Sequence, residues 1–139
     1  MPDVTPYLLY EDVAAAIDWL EKAFGLRERL RSADPEGTVS HAEMTIGDGE
    51  VMLGWPGPDY QCPRTTGHVS QFVHVNVPDV DAHFEQARAA GAEVLSAPED
   101  QPYGDRRYDA VDLEGHRWSF AQRVRDVPPD EWGATVRRD

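Results

Sequence analysis

The chain repeats itself. Shifted by about 67 positions, the segment Leu8-Leu9-Tyr10-Glu11-Asp12-Val13-Ala14-Ala15 falls on Val75-Asn76-Val77-Pro78-Asp79-Val80-Asp81-Ala82. The same shift lays the Gly47-Asp48-Gly49 turn over Glu114-Gly115-His116, and the run Val51 to Gly54 over Trp118 to Ala121, without a gap. Self-similarity of this kind means that one supersecondary unit is used twice. At 139 residues the two copies together make a single domain with room for a full core. The spacing sets the first module at residues 4–56, a linker at 57–67, the second module at 68–123 and a C-terminal extension at 124–139.

Periodicity gives the content of each module. In the first, Asp12 is placed to cap a helix whose Val13, Ala16, Ile17, Leu20 and Phe24 recur at three-to-four-residue spacing until Gly25 stops it. In the second, Asp79 caps a helix carrying Val80, Phe84 and Ala87 on one face, with Gly91 at its end. A strand precedes each helix; a strand near Arg27 to Arg31 or Glu93 to Ser96 follows it, and then a loop and two strands joined by the turns already noted. The module reads βαβββ, and the predicted fold is α+β, two such modules forming a curled mixed sheet around a central cavity. Past Arg123, Asp126 to Trp132 reads as a short helical turn and Thr135 to Asp139 as a frayed tail.

Alternation sorts the strand residues. Val73, Val75 and Val77 suit the face against the helix, which leaves Phe72, His74 and Asn76 on the other. Likewise Pro6, Leu8 and Tyr10 face a helix while Thr5, Tyr7 and Leu9 face away, and Met52, Arg117 and Ser119 share that second face, with Trp118 and Phe120 behind it. A cavity between the modules is where a binding site is expected.

Composition narrows the partners. The chain carries 26 acidic against 13 basic residues, a formal charge of -13, which repels phosphate backbones and excludes nucleic acid as the natural partner. The same acidity could favour a cationic ligand, although dispersed charge also simply keeps a protein in solution. No apolar run is long enough for a membrane span and no signal segment opens the chain, so neither membrane insertion nor secretion is expected. The single cysteine, Cys62, has no partner within the chain, which fits a cytoplasmic location.

The tandem βαβββ modules, each opening with a strand into an Asp-Val-x-Ala helix start, and the Asp112-Leu113-Glu114-Gly115-His116 turn before the last strand resemble the vicinal oxygen chelate superfamily, which includes glyoxalase I, the bleomycin-resistance proteins, fosfomycin-resistance enzymes and extradiol dioxygenases. The resemblance covers roughly Thr5 to Gln122. Metal-dependent members carry ligands early in the first strand and in the last strand of each module, and those places fall here on Thr5, Met52, Phe72 and Ser119. Hydroxyls, a thioether and a phenyl ring are not donors for a divalent ion, so no cofactor is expected at the inherited site. A relocated site for one divalent metal ion, built from His41, Glu43 and His74, is the alternative.

The leading expectation is a metal-free protein that binds a small organic molecule. Thr5, Tyr7, Met52, Trp55, Phe72, His74, Asn76, Arg117 and Ser119 line its cavity. Aromatic and thioether groups supply contact area, and Arg117 could orient a carboxylate or phosphate. If the protein is instead an enzyme, His74 is the candidate base and Tyr7 the candidate proton donor; that alternative is a glyoxalase-type lyase or isomerase, or a dioxygenase. A third reading is a scaffold that only dimerises. The resemblance implies a homodimer. His116 is expected to hydrogen-bond its own turn, and His68 and His83 to be surface or boundary residues.

Overall fold

The computed structural model describes residues 3–138. Its elements follow in the order β1 (Tyr7–Leu9), α1 (Val13–Phe24), β2 (Arg27–Ala33), β3 (Val39–Ile46), β4 (Gly49–Gly54), α2 (Pro63–Thr66), β5 (Phe72–Asn76), α3 (Val80–Ala89), β6 (Glu93–Asp100), β7 (Asp105–Val111) and β8 (Arg117–Arg123), with a 3-10 turn at Pro129–Trp132. The strands form two four-stranded sheets, β1-β4-β3-β2 and β5-β8-β7-β6. In both the first strand lies parallel to the last and the remaining pairs are antiparallel. Tyr7 pairs with Met52 and His74 with Ser119, so the repeat of 67 positions holds strand against strand. The sheets remain separate and open.

Both helices begin as their sequences require. The carboxylates of Asp12 and Asp79 accept from the backbone N–H of Ala15 and Ala82, each at 3.0 Å, which satisfies one donor of the first turn. Gly25 closes α1 at φ 76, a left-handed conformation that glycine adopts without strain. α1 buries six residues, Val13, Ala16, Ile17, Leu20, Ala23 and Phe24, whereas α3 buries only Val80 and Ala87. β2 and β6 run further than expected, to Ala33 and Asp100, and both carry register shifts in their pairing.

The modules share one core. Phe24, at the end of α1, meets Trp118 and Phe120 of β8 at ring-centroid distances of 5.5 and 4.8 Å. His83 of α3 is drawn into this junction. A main-chain carbonyl can only accept, so the Nε2–H of His83 donates to Phe24 O at 2.7 Å and its bare Nδ1 accepts from the Tyr108 hydroxyl at 2.5 Å. The side chain is half-buried, at the boundary between core and surface. His83 lies beside Val80 and Phe84 on the apolar side of α3 and packs on Tyr108 and Phe120 of its own module as well as on Phe24 of the other.

A second joint runs through the turn before β8. Asp112, fully buried, accepts from the Tyr10 hydroxyl at 2.7 Å, the Trp118 indole at 3.1 Å and the backbone N–H groups of Glu114 and His116 at 3.0 Å each. Four donors on one carboxylate compensate its removal from water. Glu114 in turn accepts from the N–H of Glu11 and of Asp12 at 2.6 and 2.9 Å, and His116 Nε2 donates to Leu9 O at 2.6 Å. The turn of the second module thus braces the helix start of the first. Beside Asp112, burial raises the Tyr10 hydroxyl well above the ordinary tyrosine range; burial also lifts the Glu114 carboxyl.

Candidate functional site

The face of each sheet turned away from the helices is open. Tyr7 is 49% exposed and Phe72 51%, and β1 and β5 bring them to a cavity of about 430 Å³ lined by Pro6, Tyr7, Phe72, His74, His116 and Arg117 among others. A second opening of about 520 Å³, lined by Arg64, His68, Leu95 and Val111, shares Arg117 with the first. The Arg117 guanidinium makes no ion pair or hydrogen bond to any described residue.

The two sheets present related walls. On the first, the Tyr7 hydroxyl lies 2.8 Å from His41 Nδ1, and His41 Nε2 lies 3.0 Å from Glu43 Oε2. The Arg29 guanidinium bridges Glu43 and, at 3.2 Å, Glu50. Both carboxylate side chains are only 12% and 11% exposed. Gly54 makes this wall possible: it pairs with His41 on β3, and a Cβ there would come within 2.5 Å of the Tyr7 ring, so only glycine lets the phenol lie across β4 to reach the imidazole. On the second wall, the equivalent place holds Arg107 and Asp109, paired at 3.0 Å, with the guanidinium 5.2 Å over the Phe72 ring.

The remaining expected site residues distribute as follows. Thr5 lies ahead of β1, half-buried, and is not part of a strand. Met52 sits between Tyr7 and Glu43 in the first sheet. Asn76 is exposed at the end of β5. Ser119 is fully buried and its Oγ meets no partner among the described residues. His74, Ser119 and Asp109 lie side by side across three strands, but serine is in the middle and Asp109 is held by Arg107. No imidazole stands between acid and hydroxyl, so this row is no nucleophilic triad. Trp55 is a correction: it packs against the hydrophobic core, on the side of Val51 and Leu53, and not in the cavity. Gly54, Arg29, Glu50 and the Arg107–Asp109 pair were not foreseen. The His41-x-Glu43 and Arg107-x-Asp109 spacings, two residues apart on equivalent strands, were the available signal.

Comparison with known proteins agrees with this architecture. The profile of the Glyoxalase/Bleomycin resistance protein/Dioxygenase superfamily matches residues 4–120. The chain belongs to this superfamily. An uncharacterised protein of Mycobacterium tuberculosis (strain ATCC 25618 / H37Rv) is 40% identical over 140 residues, covering 97% of this chain and 82% of the relative. The crystal structure of TioX from Micromonospora sp. ML1 is similar at a TM-score of 0.74 and 39% identity, over 89% of this chain and 100% of TioX. A glyoxalase-related enzyme from Clostridium phytofermentans shares the fold at a TM-score of 0.70 and 15% identity, over 89% of this chain and 96% of that one.

Where the superfamily's metal-dependent members hold an ion, this chain places a hydroxyl ahead of β1, a thioether, a phenyl ring and a buried hydroxyl. That set does not fit a divalent cation. The relocated set is not assembled either: His41 and Glu43 adjoin, but His74 stands on the other sheet. Among the described residues, the group of His, Cys, Asp or Glu with three ligand atoms within 4.8 Å of one another is Glu11, Cys62 and Glu114. Its carboxylates already accept backbone N–H groups, Glu11 from Cys62 at 2.8 Å and Glu114 from Glu11 and Asp12. No helix of the described chain is long and apolar enough to cross a membrane.

Proposed function

We propose that this superfamily member is a cavity protein that holds a small organic molecule without a metal ion, at the open face where its two modules meet, and that it works as a homodimer. The observation that carries the reading is Arg117. In a chain with twice as many acids as bases, a strand arginine ordinarily finds a carboxylate; this one finds none and shares a cavity with Tyr7, Phe72 and His74. A free guanidinium beside exposed rings matches an aromatic molecule that bears a carboxylate or similar anion, the ring on Phe72 and Tyr7 and the anion on Arg117. The donor-poor places inherited from the superfamily support binding over metal chemistry. So does the breadth of a superfamily whose name covers resistance proteins as well as enzymes.

Thermal unfolding against a panel of aromatic carboxylates, with matched neutral aromatics, tests this. A bound compound at one hundred times its Kd stabilises the fold by about 2.7 kcal/mol, and Arg117→Ala is expected to lose most of the carboxylate's advantage over the neutral compound. No stabilisation by any compound would overturn the reading. One tightly held metal ion per chain in protein purified without chelator would replace it with a metal-dependent lyase, isomerase or dioxygenase.

A further inference from the structure

The hydrogen-bond chain on the first sheet has a direction. Glu43 is an acceptor, held as a carboxylate by Arg29 from β2, which Glu50 of β4 shares. The proton between His41 Nε2 and Glu43 Oε2 therefore belongs to the imidazole. A neutral imidazole has only one N–H. With Nε2 protonated, Nδ1 is bare and must receive the Tyr7 hydroxyl proton across the 2.8 Å contact. The phenol has no second proton, so its oxygen offers the cavity lone pairs alone.

We propose that His41 is a specificity-determining residue of the cavity: by taking the Tyr7 hydroxyl proton on Nδ1 it makes Tyr7 an acceptor for a ligand N–H or O–H. The assignment rests on the reading of this face as a ligand site and names the chemistry required of the ligand on its Tyr7 side, a hydrogen-bond donor. The charges nearby agree: two nearly buried carboxylates share one guanidinium, which leaves the wall negative and welcoming to a polarised N–H. The feature is built rather than incidental, because Gly54 exists as a glycine where the phenol crosses the sheet. The second sheet has no such arrangement, since Arg107 stands where His41 does and can only donate.

Two measurements on the full chain test this. The first is nitrogen-15 NMR of the imidazoles at about pH 8. His41 is expected in the Nε2–H form, with an Nδ1 resonance that moves in Tyr7→Phe, a substitution at an exposed side chain that leaves the core untouched. An Nδ1–H form, or an Nδ1 signal indifferent to Tyr7→Phe, would overturn the proposal. The second compares indole-2-carboxylate with benzofuran-2-carboxylate at about pH 8, ring systems of one shape that carry N–H and oxygen at the same place and the anion that Arg117 would hold. The indole is expected to bind about fivefold more tightly, the worth of one hydrogen bond, and in Tyr7→Phe the ratio should fall near one. Equal binding of the two in the parent protein, or a lead that survives in Tyr7→Phe, would overturn the proposal. If neither probe binds while His41 shows the expected form, it is the ligand-site reading that fails.

Discussion

His83 joins the modules with a ring that must stay uncharged. Both of its nitrogens are committed, one donating to the end of α1 and one accepting from Tyr108, and burial holds its pKa below the ordinary imidazole value. A histidine lowered in the fold takes up its proton more readily in the unfolded chain. Its stabilising share is therefore complete above the unfolded value, about 6.5, and is lost as pH falls below that toward the lowered folded pKa. Urea midpoints measured from about pH 7.5 to about pH 5 should decline in the parent, and His83→Gln should show a shallower decline from a lower start. Glu114, raised by burial, works in the opposite sense at lower pH, where proton uptake relieves its charge. Replacing it by Gln trades an acceptor for an amide that faces a backbone N–H, and should cost about 1–3 kcal/mol in denaturant unfolding. Neither role was legible in the sequence, because both are made by contacts between residues dozens of positions apart in the chain.

Helices declare themselves locally, and strands do so less. The caps, the apolar spacing and Gly25 are all properties of short stretches, so α1 and α3 stand where the periodicity places them. The bulges of β2 and β6 arise from pairing with a neighbour, which is why both strands overran their expected ends. The same logic explains the site. Alternation placed Tyr7, Met52, Phe72, His74 and Arg117 on one face, while Trp55, beyond the end of β4, followed the core instead. The bond from Tyr7 to His41 depends on β4 lying between them with Gly54 at the crossing, and strand order is invisible to alternation. α3 relies on its cap more than α1 does, for it buries only two side chains. Asp79→Ala is expected to cost about 1 kcal/mol and to speed amide exchange across the first turn of α3 while α1 stays protected.

For the molecule as a whole, the open faces leave Tyr7, Phe72, Leu30 and Leu95 in contact with solvent. A second copy laid over them would cover these groups and close the cavity. A stable pair of this kind removes roughly 800 Å² per partner, with apolar groups at its centre. Light scattering at micromolar concentration should therefore give twice the 15.6 kDa chain mass, and Leu30→Glu combined with Leu95→Glu should return it to one chain with the far-ultraviolet spectrum intact. A monomeric parent would remove the homodimer from the proposed function.

The brace from Asp112 and Glu114 to Tyr10 and the start of α1 also bears on the ancestry of the repeat. Two copies of one unit have come to depend on each other, since the N–H groups of Glu11 and Asp12, just ahead of α1, find their acceptor in Glu114 at the far end of the later one. Severed within the connector between Gly57 and Gly67, neither piece should hold its shape in isolation, yet the two mixed together should reassemble. Each copy of the unit is completed by the other through a handful of shared protons.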